Sequence, residues 1–137
     1  MYLLDTNALF DSYKDIPNPG LATFLQSQPT SFFYVSSVTI AEVAYGVKLM
    51  PVGKRRTLLE KQLADLQQTF SERILPVTTE IALVYGELQA SQVKAGFNDY
   101  PLDNLIIATA LHHNLSVVTR NEKDFLNRGA KVINPYT

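Results

Sequence analysis

Cysteine and tryptophan are both missing from this chain of 137 residues. Without cysteine there is no disulfide and no thiolate-held metal, which excludes the stapled secreted scaffolds and fits a reducing cytoplasm. Charge of one sign is scarce as well: 12 basic residues against 13 acidic ones leave a net charge of −1. A nucleic acid would therefore have to be met by local patches or metal ions, because there is no global positive field. No apolar run approaches the ~18 residues of a membrane span, and no basic segment precedes an apolar run at the N-terminus. A soluble, unprocessed, cytoplasmic protein that does not enter membranes is the expectation. No Gly-rich loop ending in Lys-Ser/Thr is present to cradle a nucleoside triphosphate. What remains is apolar: 46% hydrophobic residues against 18% charged ones argue for a compact globule, expected as a single domain over residues 1–137.

The apolar residues fall into short β-like runs separated by helical patterns. Residues 2–4 form a run too short for a helix, stopped by Asp5-Thr6-Asn7, with a helix starting near Ala8. Residues 14–20 read as a loop and 21–28 as a helix. Residues 32–35 are aromatic and β-branched, a second strand. Thr39-Ile40-Ala41-Glu42 has the form of a capping box opening a helix that runs to Met50. That helix is apolar on two sides, with Ile40, Val43, Ala44 and Val47 on one and Ala41, Tyr45 and Leu49 on the other, so it is expected to be buried twice.

Residues 54–73 give a long helix with Leu58, Leu59, Leu63, Leu66 and Phe70 inward. A third strand over 74–77 has the proline of an edge. Residues 80–94 form a helix with Ile81, Leu83, Val84 and Leu88 apolar, and 96–101 a loop. Residues 102–111 are apolar on every face, a core helix; His112 and His113 fall at its end, where cationic side chains are ordinary. Strands over 114–119 and 131–135 complete the chain. The alternation predicts a three-layer α/β/α fold around a central parallel sheet.

Three carboxylates stand out. Asp5, Glu42 and Asp103 each lie at the start or end of an element too apolar to leave a charge unpaired. Each has an ordinary explanation as a helix cap or first-turn acid. Taken together they suggest another: in a parallel sheet their elements can bring all three to one edge, where ligands bind. Nothing basic neighbours them in sequence, so a hard divalent cation is the natural counter-charge, and crowded acids without one should leave one of them protonated near neutral pH. Arg120, Lys123, Arg128 and Lys131 cluster late in the chain, either as solubilising surface or as contacts to a phosphate backbone.

Leu3-Leu4-Asp5-Thr6-Asn7, Ser37-Val38-Thr39-Ile40-Ala41-Glu42 followed by Tyr45-Gly46, Asp103-Asn104-Leu105-Ile106-Ile107-Ala108-Thr109-Ala110, and Val118-Thr119-Arg120-Asn121 with Asp124-Phe125 together resemble the PIN-domain ribonucleases, within them the VapC toxins of bacterial toxin–antitoxin pairs. The resemblance spans essentially the whole chain. It implies an endoribonuclease dependent on Mg²⁺ or Mn²⁺, a homodimer, and silencing by a cognate antitoxin. It implies Asp5, Glu42 and Asp103 as the acidic triad, with Asp5 and Asp103 the foremost metal ligands and Thr6 or Asn7 and Thr119 in support. The fourth acidic position of many relatives is Asn121 here, and Asp124, a helical turn on, is its substitute. The reaction implied is attack of a metal-activated water on an RNA phosphodiester.

Two other readings stand beside it. A phosphatase working through an aspartyl-phosphate wants a second acid just behind the first, where this chain has Asn7. A catalytically weak PIN-like module that binds RNA or protein is the alternative that Asn121 keeps open.

Overall fold

The computed structural model describes residues 1–97 and 100–137. Five parallel strands form one sheet in the order β3-β2-β1-β4-β5: β1 (Tyr2–Leu4), β2 (Phe33–Ser36), β3 (Ile74–Leu75), β4 (Ser116–Val118) and β5 (Val132–Ile133). The helices are α1 (Thr6–Ser12), α2 (Pro19–Ser27), α3 (Ser37–Leu49), α4 (Lys54–Phe70), α5 (Thr79–Lys94), α6 (Pro101–His113) and the single turn α7 (Glu122–Phe125). Strand alternation sorts the core into two layers. Leu4 and its partner Val118 look one way, into a cluster with Leu9 of α1, Leu21 of α2 and Phe70 of α4. Leu3 and Val117 look the other way, onto Ile106, Ile107 and Ala110 of α6 and Phe125 of α7. This is the expected three-layer α/β/α arrangement, with β3 at an edge as its following proline suggests.

Several boundaries differ from the sequence reading, each for a local physical reason. The proposed Thr39–Glu42 capping box does not form. Ser36, the last residue of β2, takes the cap by accepting from the Val38 amide at 3.0 Å, so α3 begins earlier and Thr39 is buried in its first turn. Asp103 does not cap α6 either: Tyr100 occupies that position, and Pro101 follows where a missing N–H costs nothing. Asp5 does cap, and α1 therefore starts at Thr6. Val77 falls outside β3 because Thr78 caps α5. The strand expected from residue 114 starts only at Ser116, since Asn114 closes α6 in the left-handed conformation. The last strand shortens to Val132–Ile133, and α4 stops at Phe70 before a 3-10 turn. Leu58, read as inward, is exposed, and so is Leu83 on the apolar pattern of α5. The loop expected over 96–101 includes Asn98 and Asp99, which lie outside the described residues.

On α3 the two apolar sides are as expected but only one is covered within the chain. Val47 is buried, whereas Tyr45 is 68% and Leu49 66% exposed. Among the described residues, no helix is long and apolar enough to cross a membrane.

Candidate functional site

A parallel sheet collects ligands where the chain reverses the direction in which it adds strands, because loops from neighbouring strand ends diverge there. In the order β3-β2-β1-β4-β5 that point lies between β1 and β4. Asp5 leaves the end of β1, and Thr119 leaves the end of β4, their strands paired through Leu4 and Val118. Asp5 is 3% exposed. One of its carboxylate oxygens accepts the Ala8 amide at 2.7 Å, and the Thr119 hydroxyl hydrogen-bonds the same carboxylate. The choice between cap and pocket acid is therefore not a choice, since the bond that caps α1 also fixes the carboxylate. Burial pushes the Asp5 carboxyl above its ordinary value, against the pull of these hydrogen bonds.

Glu42 reaches the same place from the second turn of α3, where its Oε1 accepts the Thr6 hydroxyl at 2.7 Å. Asp103 arrives from the first turn of α6. Asn121 and Asp124 come from the segment after β4; the Asn121 amide donates to Thr119 Oγ1 at 2.9 Å, which ties the turn to the strand end. Asp5, Thr6, Asn7, Glu42, Asp103, Asn121 and Asp124 line one pocket of about 140 Å³ floored by Ile106 and Phe125. Every acid singled out in the sequence is thus brought to one place, and so are both candidates for the fourth position. His112 and His113 do not line it.

Four carboxylates around one small space repel each other. The Asp103 carboxyl is pushed up to about 6, first by burial and then by the charges of Glu42, Asp124 and Asp5, with only Arg128 pulling the other way. A divalent cation is the chemically fitting relief, because the donors are oxygens and Mg²⁺ or Mn²⁺ prefers them. Among the described residues no three acidic or histidine side chains are drawn together tightly enough to hold an ion alone. Asp5 and Asp103 would hold it, with Glu42 and Asp124 flanking.

Sequence reasoning missed a second polar cluster beside the first. Asp11, buried on α1, accepts the Tyr136 hydroxyl at 2.8 Å and pairs with Lys14 at 2.8 Å and Arg120 at 3.5 Å. Burial would raise the Asp11 carboxyl, but the bonds from Lys14 and Tyr136 outweigh it and hold it below its ordinary value. The cluster seats Arg120, next to Thr119, where its charge is felt at Asp5. It also anchors the C-terminal segment, whose Pro135 carbonyl packs so close to Gly20 that any side chain there would collide with it. The signal in sequence was faint: an acid one residue short of the end of a short helix.

Comparison with known proteins agrees with the fold. The family model described as PIN domain matches residues 2–131. The chain is 31% identical to the VapC ribonuclease Y4jK of Sinorhizobium fredii over 137 residues, covering 99% of this chain and 98% of that one. It is also similar to the crystal structure of FitAcB from Neisseria gonorrhoeae, with TM-score 0.89, 32% identity and 98% of each chain covered. A toxin-antitoxin complex from Klebsiella pneumoniae superposes with TM-score 0.74 at 27% identity over 99% of this chain and 98% of that one.

The titration of the pocket has a testable sign. In cation-free protein the folded Asp103 carboxyl, at about 6, lies above the ~3.9 of an unfolded aspartate. Its contribution to stability is therefore full below about pH 4 and lost as pH rises through about 6. Asp103→Asn removes that loss. In chelator the variant should melt above wild type at about pH 8, and the gap should close on acidification towards about pH 4. A variant melting below wild type at the higher pH would mean that Asp103 is an ordinary first-turn acid.

Proposed function

The chain belongs to the PIN-domain family, and from that premise we propose that it is a Mg²⁺- or Mn²⁺-dependent endoribonuclease serving as the toxin of a toxin–antitoxin pair. The observation that carries the reading is the convergence of Asp5, Glu42, Asp103 and Asp124 on one pocket at the strand-order reversal. Support for ribonuclease activity comes from the name of the Sinorhizobium relative, and for an antitoxin partner from the Klebsiella complex.

Each residue has a distinct part in hydrolysis. Asp5 is locked by the Ala8 amide and the Thr119 hydroxyl, so its carboxylate needs no reordering when a cation and a phosphodiester arrive. The Thr6 hydroxyl does the same for Glu42. Asp103, whose carboxyl is pushed up to about 6, would hold a divalent cation as its carboxylate, so that binding there would favour its ionised form. A divalent cation bound here would supply polarisation of the phosphate oxygens and a more acidic water. Asn121 reduces the negative charge at the fourth position, and Asp124 provides the acid from the same rim of the pocket. The rival reading of a weak RNA- or protein-binding module leaves the four crowded acids without a purpose. A phosphatase lacks its second acid at Asn7.

The exposed face of α3 is the proposed protein contact. Tyr45 and Leu49 are large apolar side chains left open one helical turn apart. We assign them to the homodimer or to the antitoxin interface, where aromatic side chains are enriched.

Antitoxin-free protein given a broad RNA mixture with Mn²⁺ should cleave it, and chelator should abolish cleavage. Asp5→Asn, Glu42→Gln and Asp103→Asn should each lower the rate by about 100-fold or more at saturating Mg²⁺. Near wild-type cleavage by any one of them would remove that residue from the machinery, and cleavage undiminished by chelator would remove the metal.

The interface is checked separately. Tyr45→Glu should shift the sedimentation profile towards smaller species or weaken antitoxin binding, with the melting temperature little changed. If neither association responds, Tyr45 belongs to no interface.

A further inference from the structure

The segment between β4 and β5 carries two arginines to the neighbourhood of the acid pocket, and the fold treats them differently. Arg120 is paired with the Asp11 carboxylate. Arg128 is held instead by a neutral group: its Nη1 donates to Asn104 Oδ1 at 2.9 Å. Asn104 is 1% exposed, sits next to Asp103 on α6, and donates its own amide N–H to Gln89 on α5. With its nitrogen engaged by Gln89, the Asn104 carbonyl oxygen is aimed in one direction, towards the guanidinium. The ring of Tyr100 lies 5.8 Å from the same guanidinium.

Among the described residues, no carboxylate lies within ion-pair distance of Arg128, while the arginines at 56 and 120 have one. Nor does any described residue other than Asn104 accept a hydrogen bond from it. Its charge nevertheless reaches Asp103. Arg128 is therefore a partly buried cation outside the pocket lining, fixed at one nitrogen by the residue next to Asp103. If it served only to tie the loop to α6, a neutral donor would do as well.

We propose that Arg128, oriented by Asn104, is a substrate-binding residue that takes the RNA phosphate adjacent to the scissile one on the Asp103 side of the pocket. The inference rests on the ribonuclease reading above. A chain of net charge −1 gives RNA no global attraction, and an acid-lined pocket repels the phosphates on either side of the one being cut. A guanidinium held in advance answers this with a bidentate contact at little further entropic cost. Because that phosphate does not react, its contact is equal in the ground and transition states, and the loss should fall on KM.

The test uses the full chain with Mn²⁺ and a fluorescein-labelled pool of random-sequence RNA oligonucleotides. Arg128→Gln keeps a donor for Asn104 and removes the charge. It should raise KM about tenfold and change kcat by less than about twofold. The dependence of log kcat/KM on log salt should become shallower by about 0.7, one single-strand phosphate contact. Arg128→Lys should recover the salt slope, since the charge returns, but only part of the KM. Wild-type KM and salt slope in Arg128→Gln would overturn the proposal, as would a fall in kcat at unchanged KM accompanied by a lower melting temperature, the mark of a loop tie. Failure of the wild type itself to cleave the pool would instead overturn the ribonuclease reading, and this inference with it.

Discussion

The placement of a buried carboxylate at the end of the central strand is the constraint on which the rest of the molecule turns. Asp5 follows β1, which is flanked by β2 and β4, and it is held by an amide of α1 and the hydroxyl of Thr119. Those two bonds stop the chain from burying Asp5 without partners, a condition that costs several kcal/mol. They also align three segments at once: the end of β1, the start of α1 and the end of β4. With these aligned, α3 and α6 deliver Glu42 and Asp103 opposite Asp5, and the turn after Thr119 delivers Asn121 and Asp124. The cap of a short helix and part of the lining of a charged pocket are thus one structure.

The same placement explains the charge around the pocket. Burial raises the carboxyls of both Asp103 and Asp5, the neighbouring acids add to it at Asp103, and the fold answers with two arginines placed outside the pocket lining. Arg120 is anchored through Asp11 to the C-terminal segment, and Arg128 through Asn104 to α6. Among the described residues, neither pairs directly with Asp5, Glu42, Asp103 or Asp124.

Much of this was legible in the sequence, and the legible parts share a cause. Strand-like runs such as Tyr2-Leu3-Leu4 and Ser116-Val117-Val118 announce themselves because burial on both faces demands continuous apolar residues. Asp5, Glu42 and Asp103 stood out because each lies at the start or end of an element too apolar to leave a charge unpaired. Caps were read less well. Ser36, Ser37 and Thr39 all offer a hydroxyl within one turn, and which one is used depends on where the strand stops. Long-range polar pairs were invisible: Tyr136 and Asp11 are 125 residues apart, and Arg128 and Asn104 are 24 apart. Such pairs leave no periodicity, so nothing in the sequence could separate Arg128 from the surface charges around it. The departure at Asn121 was visible, but that Asp124 lines the same pocket depends on the single turn of α7.

The central claim is that this acid pocket is where a divalent cation binds, and Mn²⁺ titration of isotopically labelled, antitoxin-free protein tests it most directly. Paramagnetic broadening should first remove the amide signals of Thr6, Asn7, Glu42, Asp103 and Asn121. Arg73, which binds the Thr30 and Phe33 carbonyls at the start of β2, away from the strand ends that build the pocket, should stay sharp, and excess Mg²⁺ should restore the lost signals. Broadening that begins elsewhere, or that spreads evenly over the surface acids and resists Mg²⁺, would contradict a cation site built by Asp5 and its neighbours.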